Sequence, residues 1–137
     1  PKALVKKIEC INDLVRNYVS KVRILSETRM SSKGQVVSVK LRKLLKQHLE
    51  KLRIGIKCAM KYRRQQECDT EKQIENLKKD IYNSPKHVFG DHSYFCNNHK
   101  DDEETYVPEM IECGLMDDLQ SCGARLLHNA QSYVKYD

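Results

Sequence analysis

Apolar residues fall at helical spacing along most of this chain. Leu4, Ile8, Ile11, Val15, Tyr18, Val22 and Leu25 recur at steps of three and four, one face of a helix over about 3–26. Cys10 lies beside that stripe and Asp13 shares its face at i+3, while Arg16, Lys21 and Arg23 fall mostly on the other side. Met30-Ser-Ser-Lys-Gly34 interrupts the period and reads as a loop. Val37, Leu41, Leu44, Leu45, Leu49, Leu52 and Ile56 restart it, predicting a second helix over roughly 36–66 that packs antiparallel on the first. Gly55 lies inside this helix at a cost of about 1 kcal/mol relative to alanine, which points to a close contact or a kink there.

Thr70-x-x-Gln73 reads as a capping box for a third helix, with Ile74, Leu77 and Ile81 as its apolar face. Pro85 is expected to stop that helix near Asn83. Ser84 to Cys96 then gathers a proline, a glycine, two histidines and a cysteine, and is expected to fold back on the first helix near Cys10. Asn97–Glu104 is hydrophilic and solvated. Val107-Pro108 opens a short helix bearing Met110, Ile111 and Cys113, and Gly114 ends it. A last helix over about 117–133 buries Leu119, Cys122, Leu126, Leu127 and Ala130, with Gly123 permitting close packing. No β-alternating segment exceeds four residues. The fold expected is therefore all-α, an antiparallel bundle of four to five helices with a long Pro/Gly/His/Cys-containing loop. It forms one domain over 1–137: basic helices 1–83, loop 84–106 and acidic-to-mixed helices 107–137.

Charge changes the picture. Residues 1–80 carry 21 Lys/Arg against 9 Asp/Glu, and residues 81–137 carry 4 against 10. A basic helical half suggests contact with a polyanion, nucleic acid being the commonest. The candidate contacts are Lys40, Arg42, Lys43, Lys46, Arg53, Lys57, Arg63 and Arg64, all on the second helix. A solvated helical surface with internally paired charges is the plainer alternative. No apolar run is long enough to span a membrane and no signal peptide opens the chain, so the six cysteines read as reduced thiols rather than a disulfide framework. Cys10, His87, His92 and Cys96 would supply two nitrogens and two sulfurs, a donor set suited to a structural zinc. The alternative leaves the histidines exposed and the thiols buried. No GxGxxG, GxxxxGK[ST], GxSxG or HExxH occurs, and a Cys–His nucleophile has no local signature here. No catalytic machinery and no small-molecule substrate are evident.

Lys7-Ile-Glu-Cys-Ile-Asn-Asp-Leu-Val-Arg-Asn17, Leu77–His92, Tyr94-Phe-Cys96, Val107–Met116 and Leu126-Leu-His-Asn-Ala130 together resemble, in order, the transposase domain of Mutator-like DNA transposons, of the kind common in insect genomes. The resemblance covers nearly the whole chain. It implies an RNase H-like parent enzyme in which two aspartates and a glutamate hold divalent metal ions, with a helical insertion between the second aspartate and the glutamate. This chain would be that insertion, starting just after the second aspartate and stopping just before the glutamate. Cys10 matches the cysteine of the family's Cys-x-x-His motif, whereas Asp13 stands where the family has the histidine, and the stretch between His92 and Tyr94 is shortened. The resemblance implies a non-catalytic part that contacts DNA in a nuclear or other intracellular protein, with divalent metal belonging to the catalytic core outside this stretch. A decayed or domesticated copy, reused as a helical protein-interaction or self-association module without DNA binding, is the rival expectation.

Overall fold

The computed structural model describes residues 2–66, 69–95 and 105–135, with side chains for 11–66, 69–95 and 105–130. Six helices follow in order: α1 (Lys2–Ser26), α2 (Val39–Gln47), α3 (Leu49–Gln65), α4 (Thr70–Val88), α5 (Val107–Glu112) and α6 (Leu115–Lys135). Among the described residues there is no strand, only an isolated bridge between Met30 and Val36. The all-α expectation holds. The broadest packing joins α4 to α6 and α3, and α1 to α6. Val22, Leu45, Leu52, Ile56, Leu77, Met110 and Leu119 meet in the single core between them.

The second helix predicted over 36–66 is two helices. Ser38 caps α2 by accepting from the Leu41 N–H at 3.2 Å, and the segment ends at His48. A ring nitrogen of His48 lies 2.7 Å from the Leu44 carbonyl, and the ring tilts against Phe89 at 5.4 Å. The apolar period passes straight through this joint, because Leu45, Leu49 and Leu52 all turn inward on either side of it; periodicity therefore could not reveal it. Gly55 marks a close contact rather than the break. A Cβ there would lie 2.8 Å from the Ser84 hydroxyl of α4.

Two further expectations change at α4. Its cap is Asp69, whose carboxylate accepts from the Lys72 N–H at 2.7 Å, so Thr70 is the first helical residue and no capping box forms. The Gln73 amide instead donates to the Gln66 carbonyl at 2.9 Å. The helix also runs through Pro85 to Val88 rather than ending near Asn83. Proline removes one backbone donor and crowds the preceding turn. Here Pro85 is tolerated in a buried position on the core side of α4. The stop is Gly90, at φ 110°, in a Schellman closure: Asp91 N–H bonds to the Lys86 carbonyl at 2.8 Å and Gly90 N–H to that of His87 at 3.2 Å. His87 is consequently helical.

The chain returns at Tyr106, whose N–H bonds to the Phe89 carbonyl at 2.9 Å, so buried Phe89 anchors both ends of the intervening loop. The 30–36 turn docks on the start of α6. Asp118 accepts from the Ser32 N–H at 3.0 Å and from its hydroxyl, and Lys33 pairs with Asp117 at 2.9 Å. Those two aspartates tie distant segments together.

Candidate functional site

The cations predicted to contact a polyanion separate into two groups. On α2, Lys43 is exposed, Lys40 reaches Glu109 at 3.8 Å and Lys46 reaches Glu27 at 4.0 Å, all on the solvent side. Such long exposed pairs contribute little and exchange readily for other anions. Arg42 turns back to donate to the Val37 carbonyl at 3.3 Å. On α3, Arg53 is held by Glu50 through Nε at 3.0 and 3.1 Å, and that bond keeps the Glu50 carboxyl below its ordinary range. Lys57 is half-buried and has no ion pair among the described residues.

Arg53 and Lys57 face α1 across a groove of about 370 Å³, whose other wall carries Arg16 and Arg23 together with Asn12 and Ser20. Among the described residues, four cations and no carboxylate line it. Arg16 and Arg23 were legible only as the polar side of α1; that they meet α3 cations depends on the packing.

Arg63 does different work. Its Nε donates to Asp80 Oδ2 at 2.5 Å, Nη2 to Oδ1 at 3.0 Å, and Nη1 to the Gln66 side-chain oxygen at 2.8 Å. Tyr94 adds a third donor to Asp80 at 2.9 Å. Hydrogen bonding to Asp80 strengthens the hold of Arg63 on its proton, while burial and the bond to Asp80 push the Tyr94 phenol up. Arg63 is thus engaged inside the fold, unlike the α2 lysines. Sequence reading missed Asp80 itself. The available signal was its position: Gln73, Leu77, Asp80 and Ser84 recur at three and four residues on the buried side of α4.

This node seats the described part of the loop, 91–95, on α3 and α4; the expected fold-back near Cys10 turns on side chains outside the described residues. Beside it opens a larger cavity of about 880 Å³ between α3, α4 and the loop, lined by Ile54, Cys58, Tyr62, His87, His92 and Phe95 among others. His87 and His92 stack edge to face at 4.5 Å, and His87 meets Phe95 at 5.3 Å. Burial first, then the neighbouring His92, depress the His87 pKa and favour its neutral form. The two nitrogen donors of the expected zinc set therefore stand together. The side chains of Cys10 and Cys96 lie outside the described residues. Asp13, exposed, pairs with Arg16 at 3.1 Å. Among the described residues, no cluster of three His, Cys, Asp or Glu side chains could hold a metal, and no helix is long and apolar enough to cross a membrane.

Searches of curated proteins and of solved structures return no match for this chain. A family model does match, over residues 1–102: that of the Mutator-like transposase.

Proposed function

The chain belongs to the Mutator-like transposase family, and we propose that it serves there as a helical, non-catalytic part that grips DNA by its phosphates. The observation that carries this reading is the state of the cations. Lys40, Lys43, Lys46, Arg53 and Lys57 face solvent or a groove, with ion pairs that are long, exposed or absent among the described residues. Such groups exchange water and counterions for phosphate oxygens without reading base edges. The most sheltered carboxylate among the described residues, Asp80, is held by Arg63 and Tyr94 instead of facing a substrate.

Fluorescence anisotropy with a labelled duplex across a salt series tests the proposal. Affinity falls by about 0.9 log units per log unit of salt for each phosphate contacted. Replacing Lys43, Lys46, Arg53 and Lys57 together by Glu abolishes binding. A flat salt response, or affinity that survives the four substitutions, overturns it.

A second reading, a helical interaction module without DNA binding, draws support from the apolar cavity, where Ile54, Tyr62 and Phe95 remain 48%, 58% and 44% exposed. It expects no duplex binding at low salt, with association to a protein partner or a second copy that persists at high salt.

Zinc belongs to the same proposal. His87 and His92 would provide the nitrogens and Cys10 and Cys96 the thiolates; the neutral His87 is the form that ligates a metal. Native mass spectrometry should show one zinc per chain, lost on Cys96→Ser. A metal-free mass for the wild-type chain removes zinc from the reading.

A further inference from the structure

The groove between α1 and α3 places cations where no single helix could. Arg16 and Arg23 come from one wall, Arg53 and Lys57 from the other, around a space of about 370 Å³. Among the described residues, the carboxylates bonded to these arginines lie outside its lining: Asp13 takes Arg16 Nη1, and Glu50 takes Arg53 Nε and Nη2. A guanidinium carries five N–H donors, so the Nη1 group of Arg53 remains for a ligand while Glu50 fixes its plane. Arg23 and Lys57 have no ion pair among the described residues. A concave wall of one sign focuses its field more strongly than a convex helix face does. The α2 lysines, by contrast, sit near Glu27 and Glu109 of other segments.

We propose that this α1–α3 groove is the seat of the DNA phosphodiester backbone, with Arg23 and Lys57 as its principal contacts and Arg16 and Arg53 beside them. The inference rests on the DNA-binding reading and sharpens it. The α2 face then carries the weaker, peripheral part of the binding, because the joint at His48 separates it from the α3 cations.

Two double charge reversals in the full chain, R23E/K57E and K43E/K46E, test it, since they change net charge equally. R23E/K57E should weaken duplex affinity at least about tenfold at moderate salt and flatten the log-affinity against log-salt slope by about two, one for each phosphate no longer neutralised. K43E/K46E should cost less than about threefold and leave most of the slope. Circular dichroism checks the helices of both; if R23E/K57E loses them, R23Q/K57Q replaces it and should show the same ordering with smaller losses. Equal losses from the two pairs overturn the groove while leaving DNA binding in place. A wild-type chain without salt-sensitive duplex binding overturns both.

Discussion

Asp80 is 3% exposed, and two N–H groups of Arg63 and the Tyr94 hydroxyl bond to it. Removing one member of a sheltered pair leaves the other without compensation. Asp80→Ala should lower the unfolding free energy by about 3 kcal/mol in urea titration, toward the low end of the buried-pair range because Arg63 retains 17% exposure. Tyr94→Phe, which deletes one donor and leaves the pair intact, should cost about 1 kcal/mol. Equal losses would mean that the tyrosine, not the arginine, holds the carboxylate. Tyr18 presents the opposite case. Its hydroxyl is buried without a hydrogen-bond partner among the described residues, and burial, followed by nearby Cys122, raises its pKa well above the usual phenol range. Desolvating a hydroxyl unpaired is costly, so Tyr18→Phe should leave stability unchanged or raise it by up to about 1 kcal/mol. A clear loss in the same titration would reveal a bonding partner. Tyr18 as a core position was legible from its place in the first stripe. The fate of its hydroxyl was not, since that depends on which groups α6 brings near.

The helices themselves illustrate what spacing reveals and hides. Gly55 and Gly123 both stood out as glycines inside helical pattern, and both sit at close helix contacts. Their neighbours differ. A Cβ on Gly55 would lie 2.8 Å from the Ser84 hydroxyl, which a rotation about one bond can move aside. A Cβ on Gly123 would lie 2.7 Å from Cγ2 of buried Ile81, whose branched side chain has little rotamer freedom. Gly123→Ala should therefore destabilise the chain by about 1–3 kcal/mol despite its gain in helix propensity. Gly55→Ala should be close to neutral, and thermal melts of the two variants will separate them. The passage through Pro85 was missed because proline reads as a stop, whereas here it is buried inside α4; the break at His48 was hidden for another reason. Apolar period reports which face is buried, and the same face stays buried on either side of His48. The terminator of α4 was instead Gly90, whose positive φ closes a Schellman turn.

At the scale of the molecule, the family match ends at residue 102 while the core does not. Leu115, Met116, Leu119, Leu126 and Leu127 of α6 join Val15, Val22 and Ile81 of α1 and α4 in one cluster. A chain truncated after residue 102 should keep helical circular dichroism but lose its cooperative unfolding transition and bind a hydrophobic dye, as a compact state without fixed packing does. A sharp melt in the truncated chain would show that α1–α4 suffice. The charge asymmetry has a similar reading: Lys33–Asp117 and Lys40–Glu109 link the basic half to the acidic one, so part of the sequence-level imbalance is met inside the fold.

By itself the sequence determined the helical class, the main apolar faces, the turn at Gly34 and the family, because each is written in local spacing or in matched order along the chain. Tertiary structure decided which cations remain available and which are engaged. Arg63, on the same helix face as buried Ile56 and Met60, is held there by Asp80, while Lys57 faces Arg23 across a groove. A helix pattern records how far a side chain sits from the core; what stands opposite it is set only when another helix arrives.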